Sequence, residues 1–287
     1  DTDITWNFCF HVLNNNNVEL NFGQHGFEFT PPTGFKALNS QNLSDPTILL
    51  PNKHFDTFLY TATGNAMSFS GLNFQPDWIW QKNRNTSSSH FHYLFDSVRG
   101  GRLGLQTNTT GAEFTGPDPN ITFTSNGYDM AASSGGQGNA SGANYVSWNW
   151  NGGGSTVTNN DGSISSQVRA NTTAGFSIVG YTGINGAGTI GHGLGVAPRA
   201  VIIRRRDSAS DWAVFHAEVG NTKRLVLNST AAESSANSSF FNNTSPTSTT
   251  ISLGSDAGTG GSTDNYIVYA FSEVAGYSKF GSYTGNN

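Results

Sequence analysis

GLNFQPDWIWQKNRN at 71–85 and GLGVAPRAVIIRRRD at 193–207 decide how this chain is to be read. Each opens on Gly-Leu and sets a proline five residues on, Pro76 and Pro198, which stand 122 residues apart. Each then runs into β-branched or aromatic residues, the composition of a strand. Working outward, RLGLQTNTTGAE (102–113) falls on RLVLNSTAAES (224–234) at the same offset, and NYVSWNW (144–150) falls on NYIVYAF (265–271) at 121. Self-similarity at a fixed period means a duplicated structural unit. Val146, Trp148 and Trp150 share one face of an alternating segment, and Ile267, Tyr269 and Phe271 share the same face of its copy, so the repeated element is a strand.

Upstream of each anchor stands an entry strand with its turn, FDTFLYTATG (55–64) and FSIVGYTG (176–183), and YSKFGSYTG (277–285) begins a third occurrence. Further strands are expected at 78–82, 90–95, 103–107, 121–124 and 145–150, separated by Gly, Asn and Ser clusters. Many short strands with turns between them need two packed sheets. The chain therefore reads as all-β: two tandem jelly-roll or β-sandwich modules at 51–158 and 159–275. A β segment at 1–50 precedes them, and 276–287 is the start of a third repeat or a closing strand. Within 1–50, Ile4, Trp6, Phe8, Phe10 and Val12 alternate before Asn14 to Asn17 and a second run of Val18, Leu20 and Phe22, which signals a hairpin. NNDGS (159–163) is expected as the turn or linker between modules. The segment from Tyr277 to Thr284 is expected to pair with a sheet edge, in its own module or in a neighbouring subunit, because a lone strand is not stable in water.

Composition supports the same class. Charged residues are only 11% of the chain, and 35 glycines with many Asn, Ser and Thr take their place. Those residues disfavour helix interiors. A net charge of -5 offers no basic face for phosphates, so no nucleic-acid partner is expected, and the run Arg204 to Arg206 reads as the wet end of a strand. The single cysteine, Cys9, allows no internal disulfide framework and reads as a small buried hydrophobe. No stretch is long and apolar enough for a membrane span and Asp1 opens no signal-peptide pattern, which points to a soluble mature protein or a fragment of a longer one.

Several strings carry a family likeness. NFGQHGFEFTPPTGFKALNSQNL (21–43) resembles the closing strand of SPRY-type, concanavalin-like domains in virion proteins of marine phages. Phe74 to Arg84 resembles the F-P-D-W-V-W-I-K-x-R pattern of the repeat that follows such domains, with Gln75 interposed. FDSVRG (95–100), NNDGSI (159–164), VRANT (168–172), GHGLGVAP (191–198) and SKFGSYTGN (278–286) are similar to further strings of that repeat. The resemblance covers roughly 18–287. It implies a concanavalin-like fold and a virion surface protein, of tail fibre, spike, head fibre or capsid decoration type. It also implies a homo-oligomer, as a trimer, with other virion proteins and host polysaccharide as partners.

Candidate sites are few. His90 and His92 share a strand face and are the only pair suggestive of metal ligation, but the further ligands of a zinc pattern are absent and the second half has Trp212 and Val214 there, so no metal or other cofactor is expected. Asn159, Asp161 and Ser163 lack the terminal Glu of a calcium loop. None of the six Glu has another acid two residues away, as the strand of a concanavalin-like glycosidase would, and no nucleophile elbow occurs, so no catalytic residue is assigned. Trp78, Trp80, Trp148 and Trp150 are the candidate ligand-binding residues, since indoles stack on sugars. Their counterparts Ala200, Ile202, Tyr269 and Phe271 are the exchange expected of core positions, which favours packing over binding.

Overall fold

The two alternating segments NYVSWNW and NYIVYAF become the spines of two large sheets. The computed structural model describes residues 21, 25–30, 32–34, 36, 45–85, 91–115, 120–133, 138–261 and 263–286. The N-terminal hairpin, Cys9 and His90 lie outside them. By its contacts the chain divides into 1–45 and 46–287. In the first unit the described residues form bends and turns, with the Asn21 amide donating to the carbonyls of His25 and Gly26. The remainder concerns the second.

Its first half carries β1 (Phe55–Thr61), β2 (Met67–Ser70), β3 (Trp78–Asn83), β4 (Tyr93–Asp96), β5 (Leu103–Gln106), β6 (Phe114–Thr115), β7 (Ile121–Thr124), β8 (Gly127–Met130) and β9 (Asn144–Trp150). Its second half carries β10 (Val157–Asn159), β11 (Ser166–Asn171), β12 (Phe176–Thr182), β13 (Gly188–Gly191), β14 (Ala200–Arg205), β15 (Ala213–His216), β16 (Leu225–Val226), the one-turn helix α1 (Ser238–Phe241), β17 (Thr250–Leu253) and β18 (Asn265–Phe271). One large sheet has the order β1-β9-β3-β4-β5-β6 and the other β10-β11-β12-β18-β14-β15-β16. The run β1-β9-β3-β4-β5 is thus repeated strand for strand as β12-β18-β14-β15-β16, all antiparallel. The registers repeat too: Phe55 faces Trp150 as Phe176 faces Phe271, and Trp78 faces Trp150 as Ala200 faces Phe271. Tyr60 stacks on Tyr145 and donates to the Gly138 carbonyl; Tyr181 stacks on Tyr266 and donates to the Thr259 carbonyl.

Strict alternation sends each spine's side chains into two cores. Outward, Ile79, Tyr93 and Phe95 pack on the small sheet β2-β8-β7 through Tyr128 and Met130. In the second half Val179, Val201, Ile203 and Val268 pack on β13-β17 and α1 through Ile190, Ile251, Phe240 and Phe241. Asn237 caps α1 through its side chain and Asn242 ends it in the left-handed region. Inward, Trp78, Leu94 and Leu105 meet Phe176, Ile178, Trp212, Ile267 and Tyr269 in one cluster. The two halves therefore share a core. At its centre the Trp78 ring lies 4.3 Å from Trp150 and 4.7 Å from Tyr269, where the second half has only Ala200.

Buried polar groups lock the same junction. Arg99 pairs with Asp96 (2.5 Å) and Glu113 (2.8 Å), Glu113 holds Arg206 of the second half with both carboxylate oxygens, and the Tyr269 hydroxyl donates to Asp96 at 2.7 Å. Asp77 pairs with Arg169 across the halves at 3.0 Å and accepts from the Gly152 N–H. The expectation for the 204–206 run is corrected at its first member. Arg204 is fully buried, under the Trp212 ring at 5.4 Å, and donates to the carbonyls of Ser210, Thr110 and Gly111. Burial pushes its guanidinium down to about 10, which still leaves it protonated at neutral pH. The three carbonyls replace the water it lost.

Two further expectations are narrowed. NNDGS forms the turn of the β10–β11 hairpin, with the Asp161 N–H on the Asn159 side chain, and is no linker. After the isolated Val274–Ser278 bridge, residues 279–286 join no sheet edge among the described residues of their own chain. Ring packing takes the ladder's place: Phe280 lies 5.9 Å from Phe271, and Tyr277 stands edge-on to His54 at 6.2 Å. Gly276, at φ +75°, lies so close to Pro46 that an added Cβ would be 3.1 Å from that ring.

Candidate functional site

The inner face of the second half's sheet is closed, while that of the first is half open. Over β12 and β14 the closing is done by two loops of the first half: Val98 lies against Gly180, and Thr110 and Gly111 cover Arg204. Ile267, Tyr269, Trp212 and Arg204 are consequently fully buried. In the first half, Leu227 to Thr230 of the second half form one wall of a cavity of about 430 Å³ with Trp80, His92, Thr107 and Asn108. Sharing Trp80 and His92 with it, a second concavity of about 470 Å³ is lined by Phe55, Lys82, Trp148 and Trp150 as well. Together they make a groove.

The groove's floor is set by strand registry. Trp80 lies opposite Trp148, Lys82 opposite Val146, and Phe55 opposite Trp150. Cross-strand pairs on one face touch: Trp80 and Trp148 meet edge-on at 6.0 Å, and Phe55 tilts onto Trp150 at 4.7 Å. The Trp80 Nε1 is buried without an acceptor, so what this half-buried indole presents is carbon surface. Burial, and then the charge of Lys82, lowers the His92 imidazole below its ordinary range, so it is neutral near pH 7. Its backbone N–H donates to the Asn108 side chain at 2.9 Å, which fixes Asn108 at the rim.

Of the four candidate tryptophans, Trp78 is 1% exposed in the shared core, and Trp80, Trp148 and Trp150 line the groove. His92 joins them. Among the described residues no group of three or more His, Cys, Asp and Glu converges on a metal position. Sequence reading missed Phe55, Lys82, Asn108, Leu227 and Asn228. The β1 alternation contained a signal for Phe55; nothing local pointed to Leu227 and Asn228, which arrive from the other half.

Residues 50–287 match a family described as a domain of unknown function, DUF7483. No curated protein and no solved structure matches the chain.

Proposed function

We propose that this chain, which belongs to the DUF7483 family, is a non-catalytic structural module of a phage virion surface that contacts host glycans through the tryptophan groove. One observation carries the reading: Trp80, Trp148, Trp150 and Phe55 are held at fixed registry along one open groove. Aromatic faces bind the C–H faces of sugars, and rings on strands need no ordering when the ligand arrives. A surface poor in charge and rich in Asn, Ser and Thr suits repeated weak contacts, and avidity in a homotrimer would multiply them. The resemblance at 74–84, 95–100 and 278–286 supports the virion setting, as a tail fibre or spike, with head fibre or capsid decoration as the alternative.

The same groove also favours a second reading, a carbohydrate-binding module of a secreted glycan-active enzyme. Binding of purified protein to host cells and to a panel of their polysaccharides tests the glycan contact, with Trp148→Ala as the comparison. Binding that Trp148→Ala leaves unchanged refutes the groove. Localisation within particles separates the virion reading from the secreted one.

A further inference from the structure

We infer that the groove takes an acidic oligosaccharide, a sugar chain bearing carboxylate or sulfate, with its sugar faces on Trp148 and Trp150 and an acidic group against Lys82. This rests on the glycan-contact reading and narrows it. Lys82 projects from β3 on the same face as Trp80, opposite Val146, and lines the aromatic concavity. Its ammonium donates to the Asn83 carbonyl at 2.5 Å, and among the described residues it pairs with no carboxylate. An ammonium has three donors, so two remain.

The position contrasts with its counterpart. Arg204 occupies the equivalent place on β14, and there the loop carbonyls of Thr110 and Gly111 consume the guanidinium. Among the described residues, no loop carbonyl of the other half accepts from Lys82. No Asp or Glu lines either concavity, although the chain as a whole is acidic. A cation beside apolar rings, in a place that partly excludes water, is most favourably met by an anion. At the far end the lining turns polar, with Asn108, Ser229 and Thr230 offering groups for sugar hydroxyls. Each concavity has the size of a small-molecule site, and because they adjoin, a chain of several sugars can run from Trp150 to Asn228.

Calorimetric titration of the intact protein with three hexasaccharides decides the matter: oligogalacturonate, a heparin hexasaccharide and neutral maltohexaose. At least one acidic hexamer should bind about 5- to 10-fold tighter than the neutral one, the worth of one half-buried charged contact. The tighter acidic hexamer names the group. Lys82→Gln should reduce that ratio to about two or less without altering affinity for maltohexaose or the melting temperature. Trp148→Ala should weaken all three, and Trp148→Phe should restore part of the loss. Equal affinities, or an acidic preference that survives Lys82→Gln, overturn the inference while a loss on Trp148→Ala leaves the glycan reading standing. Failure of all three hexamers to bind overturns both.

Discussion

Replacing Trp78 by Ala tests whether the two halves are one cooperative body. The side chain is 1% exposed and touches both halves, with Trp150 at 4.3 Å, Tyr269 at 4.7 Å, Phe176 at 5.4 Å and Phe271 at 5.8 Å. Its neighbours come from three strands of two sheets, β9, β12 and β18, so they cannot collapse into the vacancy, and the cost is about 4 kcal/mol, within the range for Trp→Ala. For a body of this size each kcal/mol lowers the melting temperature by roughly 2–4 °C, so a drop of roughly 8–16 °C is expected in scanning calorimetry. The transition should stay single. Hydrogen exchange should show amides of β12 and β18 losing protection together with those of β3 and β9, since the shared core joins them. Two separate transitions, of which only one moves, or second-half amides that keep their protection, would refute the shared-core argument.

Other outcomes follow from the buried polar contacts. Glu113→Gln leaves Arg99 and Arg206 short of an anion and should cost about 3 kcal/mol in urea unfolding at pH 7. Burial raises the Glu113 carboxyl, but the Arg206 hydrogen bonds and the Arg99 charge outweigh it and hold the group below its usual 4.5. Its contribution is therefore complete above that value and is lost as pH falls through the folded value, so the difference between wild type and Glu113→Gln should shrink as acid is added; a constant difference from pH 7 to pH 3 would contradict this. Arg204→Met orphans the Thr110 and Gly111 carbonyls and should cost about 2–4 kcal/mol, measured by the same method; a neutral result would mean that the carbonyls find water. The His92 imidazole, lowered by burial and by Lys82, should titrate below 6.5 in NMR, and an acidic hexasaccharide should move it upward where a neutral one does not.

The duplication made much of this fold legible. Offsets of 121 and 122 between the anchors correspond to strands that share partner and register, and the alternation in NYVSWNW and NYIVYAF assigned Trp148, Trp150, Tyr269 and Phe271 to the inner faces. Alternation names a face without saying what lies on it. Trp78 and Trp80 are two residues apart on the same strand, yet one is sealed and the other borders solvent, because cover depends on the second half's sheet and on a loop nearly 150 residues away. For the same reason Arg204 read as a wet strand end: its three acceptors are backbone carbonyls, which leave no trace in side-chain pattern. Lys82 was invisible as a site because a lone lysine on a strand is ordinary until its neighbours are known.

The close approach of Pro46 and Gly276 has a mechanical consequence. The backbone at Pro46 and at Gly276 runs side by side, next to the His54–Tyr277 ring contact. Tension applied between those two points would strain that small contact and leave the ladders of both large sheets unloaded.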